Sequence, residues 1–161
     1  MKKIMAFSLL ALSLNTLASS IFVFKKNVNP QNVLHYKAHA SNCEFKNPSV
    51  TAFWVMGEDK GQIESLTSKE LEYLKPKIIY NKENEVDFTI GAIEELKGKI
   101  TDKDISVRIV DCAPKAFIEI DGREVEIKEI NLNLSTFLTV KDVTITGKSA
   151  SGEIIKKKIE Q

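Results

Sequence analysis

"AFIEIDGREVEI", residues 116–127, reads as two short strands of alternating polarity around Asp121-Gly122. Asp-Gly between alternating runs is a two-residue hairpin signal, because both central residues of that turn take positive φ. The turn fixes the register. Ile120 faces Arg123, Glu119 faces Glu124, Ile118 faces Val125, Phe117 faces Glu126 and Ala116 faces Ile127. Ala116, Ile118, Ile120, Val125 and Ile127 share an apolar face, while Glu119 and Glu124 oppose each other on the second face, where like charges destabilise a pair. A cation site is one reading of that carboxylate pair. The simpler one is a solvated acidic face screened by Lys115 and Lys128, which the same register sets opposite each other. Past Ile127 the apolar phase moves to Ile130, Leu132 and Leu134, so a bulge or bend is expected near Lys128-Glu129.

The rest of the chain repeats this strand character. "IFVF" (21–24) is apolar on both faces and reads as a central strand. "NVLHYKAHA" (32–40) alternates, with Leu34, Tyr36, Ala38 and Ala40 on one face and Val33, His35, Lys37 and His39 on the other. "VTAFWVM" (50–56), "EVDFTIGAI" (85–93), "ISVRIVD" (105–111) and "DVTITG" (142–147) are β-branched and aromatic, and Gly91 inside the second of these marks an expected bulge. One helix stands out at about 68–75. Thr67 and Glu70 have capping-box spacing, Leu66 and Leu71 occupy the staple positions, and Pro76 stops the element. No repeat, low-complexity tract or linker divides the chain. The expected fold class is mainly β: an antiparallel β-sandwich or partly closed β-barrel of about eight to ten strands with one short α-helix.

The N-terminus is set apart from that domain. "MKKIMAFSLLALSLNTLASS" has Lys2 and Lys3 before an apolar run from Ile4 to Leu14, then small residues at Ala18, Ser19 and Ser20. This is the pattern of a secretory signal peptide, residues 1–20, cut after Ala18 or Ser20. The alternative, a retained membrane anchor, is disfavoured because Ser8, Ser13 and Asn15 interrupt a run short of the roughly 20 residues that a span needs. Residues 21–161 then form a single domain, exported to the periplasm or beyond the cell. With two of the 23 basic residues and none of the 22 acidic ones in the signal, 21 basic side chains face 22 acidic ones, a net charge of −1. Nothing in that balance points to nucleic acid. The basic tail "KKKIEQ" reads as a strand edge whose lysines discourage edge-to-edge pairing.

Export also bears on the two cysteines. In an oxidising compartment Cys43 and Cys112, each at the end of an extended segment, are expected to bridge. Such a bond closes a loop of about 70 residues, for which chain entropy gives near 4 kcal/mol.

Three stretches carry a resemblance. "IFVFKKNVNPQNVLHYKAHA", then "NPSVTAFWVMGEDKGQIESLTSKEL" with its Asn-Pro opening and lone Trp54, and then "KAFIEIDGREVEIKEI" are similar to the bacterial family known as domain of unknown function 4833. The resemblance covers nearly all of the chain after the signal. It implies an exported domain of this length and brings no assigned activity. One departure is plain: where the family pattern runs from the helix into an Arg and an Ala-Tyr-Gly segment, this chain has "LEYLKPKIIY" (71–80), so a family function carried by that Arg is not expected here.

Chemistry-bearing motifs are sparse. The only histidines, His35 and His39, and Cys43 are spaced four apart in "NVLHYKAHASNC" (32–43), which would suit metal ligands on a helical turn. On a strand, four residues separate the histidines by roughly 13 Å, whereas imidazole binds zinc at about 2 Å. Pro30 is expected to hold Asn29 extended, the alternation from Val33 to Ala40 is strict, and Lys37 shares the histidine face, so exposed strand histidines are expected, and a metal site at His35 and His39 is a weak candidate needing distant partners. "DVTITGKS" (142–149) ends like a phosphate loop but has Asp142 where the first glycine belongs and reads as a strand. There is no Gly-x-Ser-x-Gly elbow, a Cys–His pair has no orienting partner, and no carboxylate spacing singles out a hydrolytic pair. No cofactor is expected. The expected role is a non-enzymatic binding or structural module whose partner, protein or small molecule, is unnamed. A barrel around a small apolar ligand is the first alternative and an envelope hydrolase using carboxylates is the second.

Overall fold

In the computed structural model, residues 20–57, 59–94, 104–135 and 140–160 are described. The strands in chain order are β1 (Phe22–Lys26), β2 (Val33–Ser41), β3 (Glu44–Met56), β4 (Gln62–Glu64), β5 (Lys77–Asn81), β6 (Glu85–Thr89), β7 (Ile105–Val110), β8 (Ala113–Ile120), β9 (Arg123–Leu134), β10 (Val140–Ser149) and β11 (Ile154–Glu160). Helix α1 (Ser68–Leu74) lies between β4 and β5, and a single turn, α2 (Gly91–Glu94), follows β6. The strands join one sheet in the order β4-β3-β2-β1-β9-β8-β7-β6-β5, with β10 pairing β9 and β11 pairing β10. It curls into a half-barrel. Every pairing is antiparallel except the one between β1 and β9.

β9 organises the whole. Its first part pairs β8 in the register expected from the Asp121-Gly122 turn, from Ile120↔Arg123 to Phe117↔Glu126. Its second part pairs β1, Val23↔Glu129 to Lys26↔Leu132, while β10 runs beside it from Val125 to Leu134. Between the two parts the partner of β9 on β10 jumps from Ile127↔Gly147 to Glu129↔Thr146, leaving Lys128 unopposed. This is the bulge expected at Lys128-Glu129, and it lets Ile127 and Ile130 both be buried although three residues apart. Gly147 is required opposite it, since a Cβ there would stand 2.3 Å from the Glu126 carbonyl oxygen. The Gly-Lys-Ser sequence is therefore strand backbone.

The sheet thus has two arms, β1–β4 and β5–β8, whose inner faces meet. Tyr36 stacks on Phe22 with ring centroids 4.5 Å apart, and Phe88 of the other arm lies 6.2 Å from Tyr36 and 6.3 Å from Phe22. Leu34, Val86, Ile105, Val107, Ile118 and Ile127 complete a core from which water is excluded. The buried Tyr36 hydroxyl donates to the Leu74 carbonyl at 2.8 Å, satisfying the last turn of α1.

Four expectations need correction. Asn29 is not extended before Pro30 but has φ of 56°. Among the described residues there are eleven strands, because β4 and β5 are edge strands with every residue exposed and so carry no burial alternation to read. Gly91 is not a bulge: β6 ends at Thr89 and Gly91 opens α2, where a Cβ would press within 3.2 Å of the Tyr73 backbone. The staple is only half made, since Leu66 packs on the core while Leu71 remains 44% exposed. The capping box itself is complete, with the Thr67 amide donating to Glu70 Oε2 at 2.9 Å and the Glu70 amide donating to Thr67 Oγ1 at 3.4 Å. The expected signal peptide, residues 1–20, lies outside the described residues except for Ser20.

Candidate functional site

At the open end of the β1–β4 arm a cleft of about 370 Å³ lies between the β1–β2 turn, β3, the β4–α1 connection and the end of β9. Local sequence explains its walls. Asn27 substitutes for a strand partner: its amide donates to the Leu134 carbonyl at 2.9 Å and its carbonyl accepts from the Leu134 amide at 2.8 Å, which pins the end of β9 beside β1. Gly57 lets the β1–β2 turn close in, because a Cβ there would stand 2.5 Å from the Gln31 carbonyl oxygen. Trp54 forms the inner wall, paired across the strands with Glu64 and covered by Lys26, whose Nζ is 4.6 Å from the ring centroid.

The polar groups differ in how well they are occupied. Burial alone would raise the Glu70 carboxyl. Hydrogen bonds from the Thr67 backbone and hydroxyl, the Trp54 indole and the nearby Lys26 charge outweigh it and hold the group below the usual range. Glu70 is therefore an anchor for α1. Asn32 is the opposite case: the residue borders the cleft, but its Oδ1 is shielded from solvent and has no hydrogen-bond partner. A buried acceptor left unpaired costs about 1–3 kcal/mol.

His35 and His39 do face away from the Leu34–Tyr36 row, yet neither is bare. His35 is half-buried, stacked on Phe53 at 5.7 Å, with Nδ1 2.5 Å from Ser20 Oγ. His39 Nε2 is 2.7 Å from Thr51 Oγ1. Burial first, then Lys25 beside His35 and Lys37 beside His39, lowers both imidazoles below their ordinary value. Among the described residues no three His, Cys, Asp or Glu side chains gather as a metal would require.

The acidic face of the β8–β9 hairpin is neutralised once from the neighbouring strand β7 and once from within β9. Arg108 on β7 reaches Glu124 at 2.6 Å across the Phe117 ring, and Lys128 pairs with Glu126. Of the two lysines expected to screen this face, Lys128 does so through Glu126, while Lys115 stands opposite Arg108 of β7, and the β8–β9 register runs only from Ile120↔Arg123 to Phe117↔Glu126. Cys43 and Cys112 are bonded, their Cα atoms 4.6 Å apart, at the tips of the β2–β3 and β7–β8 hairpins. Both tips are two-residue turns with positive φ throughout: 56° and 60° at Asn42 and Cys43, 52° and 59° at Asp111 and Cys112. Sequence reading missed that each cysteine occupies a glycine-like turn position, although Asn or Asp before it was the available signal.

Comparison with known proteins places this architecture. The model of a domain of unknown function, DUF4833, matches residues 22–158. The chain belongs to that family. No curated protein and no solved structure matches it. In this DUF4833 member the segment 71–80 spans the end of α1 and most of β5 and leaves Leu71, Tyr73, Ile78, Ile79 and Tyr80 exposed. Sequence reading also missed the cleft: Trp54 belongs to the core and Glu70 to the capping box, and nothing local signals that Lys26 and Asn32 border the same space.

Proposed function

We propose that this DUF4833 protein is an exported, non-enzymatic binding module of the periplasm or envelope, released by cleavage of its signal and held by no membrane anchor. The observation that carries the reading is the Cys43–Cys112 bond joining the two arms of the sheet, a cross-link that persists in an oxidising compartment and is rare where thiols are kept reduced. Cleavage after Ala18 keeps Ser20 on His35, whereas cleavage after Ser20 removes that contact. Binding is supported by the cleft, whose size falls within the ~300–1,000 Å³ of small-molecule sites. The alternatives gain less. An apolar ligand inside the half-barrel would compete with Phe22, Tyr36 and Phe88 for the same space. A carboxylate hydrolase calls for a carboxyl raised towards neutrality, and Glu70 moves the other way.

Fractionation of the producing cell, with N-terminal sequencing and non-reducing mass spectrometry, tests this. The expected product lies outside the cytoplasm, starts at Ser19 or Ile21 and has no free thiol. A cytoplasmic chain still carrying Met1, with two reduced cysteines, overturns the proposal.

A further inference from the structure

We propose that a second cleft, between β2 and an outward excursion of β3 at residues 46–49, binds a phosphate group, with Lys37, Lys46 and His39 as its donors. It is separate from the cleft beside Trp54 and originates in a register shift. Ala38 faces Val50 but Ala40 faces Phe45, so four residues of β3 stand against His39 alone. β3 bows away to absorb the mismatch. A cleft of about 360 Å³ opens there, bordered by residues 37–40 and 46–48.

Its charges decide the ligand class. Every ionisable side chain at the border is basic, and neither lysine has a carboxylate within salt-bridge distance among the described residues. His39 uses Nε2 on Thr51 Oγ1 and leaves Nδ1 without a hydrogen bond among the described residues. Burial, and then the Lys37 charge, holds that imidazole below its ordinary value, so an anion between them relieves a repulsion already present. The carboxylates of neighbouring strands stand outside the cleft. Glu44 on β3 lies opposite Ser41, and β8, which touches β2, carries Lys115 and Glu119, neither of which borders it. Two ammonium groups exclude a cation, and an apolar ligand would strip their water without replacing it. A carboxylate brings one charge. A phosphate ester brings about −1.5 to −2 and three strong acceptor oxygens, which match two ammonium groups and an imidazole in charge and in number.

With only two histidines in the chain, proton NMR follows the site directly and supplies its own control. The imidazole signals of the disulfide-intact protein are titrated between about pH 8 and 5 at constant ionic strength. The additions are sulfate, which stays a dianion over that range, glycerophosphate, and acetate as a carboxylate. Both dianions should move the His39 midpoint saturably to higher pH and leave His35 in place, and acetate should move it far less. Lys37→Gln with Lys46→Gln should weaken dianion binding on the order of tenfold and leave the melting temperature unchanged. Sedimentation with phosphatidylglycerol vesicles but not phosphatidylcholine ones, on top of the His39 response, assigns the phosphate to a lipid headgroup; the His39 response without sedimentation assigns it to a free ester. Equal movement of both histidines is general screening and overturns the site, as does sedimentation with no response to the small dianions. An acetate effect equal to that of sulfate overturns the phosphate assignment, and full affinity in the double variant overturns the role of the lysines. A His39 midpoint indifferent to both dianions overturns the proposal and leaves the reading of the protein as an exported module untouched.

Discussion

The turn at Asp121-Gly122 and the turns at Asn42-Cys43 and Asp111-Cys112 share one backbone course and differ in what occupies its second position. Gly122 carries φ of 74° with nothing within 4 Å of a would-be Cβ. Cys43 and Cys112 carry φ near the same region with a side chain, where a non-glycine residue is disfavoured by roughly 1–2 kcal/mol. Local preference and long-range cross-linking therefore compete at two turns, while at the third local preference acts alone. The lesson is that a residue poor for its own turn can be placed there by a partner 69 positions away.

The comparison can be broken in graded ways. The largest effect should come from Cys43→Ser with Cys112→Ser, which removes the cross-link and leaves both turns strained; chemical denaturation should show a loss of about 4 kcal/mol. Cys43→Gly with Cys112→Gly removes the same bond but relaxes both turns, and should be more stable than the serine pair by about 1–2 kcal/mol. Equal stability of the two pairs would show that the turns carry no conformational cost. Gly122→Ala should lose about 1 kcal/mol from the left-handed backbone alone, since no residue beyond its chain neighbours lies within 4 Å of the new Cβ.

The smallest effect belongs to the strand that leads into the Cys43 turn. His35→Gln with His39→Gln should change stability by no more than about 0.5 kcal/mol near neutral pH, since glutamine can keep both hydrogen bonds. Its signature is pH dependence. Both folded imidazoles titrate below their unfolded value, so the unfolded chain takes up protons first as pH falls through about 6.5. Wild-type stability is therefore full above that pH and declines below it until the folded histidines also protonate. Melting curves at several pH values between about 7.5 and 5 should fall less steeply for the variant. Parallel curves would mean that the histidines are not held neutral by the fold.

What could be read from sequence depended on how local the cause was. The Asp121-Gly122 register, the bulge at Lys128, the inward row of Leu34 and Tyr36 and the Thr67 capping box follow from neighbours a few residues apart, and all are present. β4 and β5 escaped because an exposed edge strand has no inside to alternate against. Arg108 as the partner of Glu124, and Lys26 over Trp54, escaped because each joins strands that meet only once the sheet is assembled. The candidate cleft is of this second kind. Its residues come from four separated segments that only the assembled sheet brings together.

The parallel pairing of β1 with β9 has a consequence for when the protein can fold. Lys25 bonds Glu129 across 104 positions at 2.5 Å, and the first strand has no second neighbour until the ninth exists. A chain delivered N-terminus first, from a ribosome or through a translocation pore, cannot close its sheet before residues 129–132 have emerged. Such distant pairing is slow, because loop-closure entropy is lost before the contacts form. The arrangement acts as a timer that keeps the leading arm open until most of the polypeptide has been delivered.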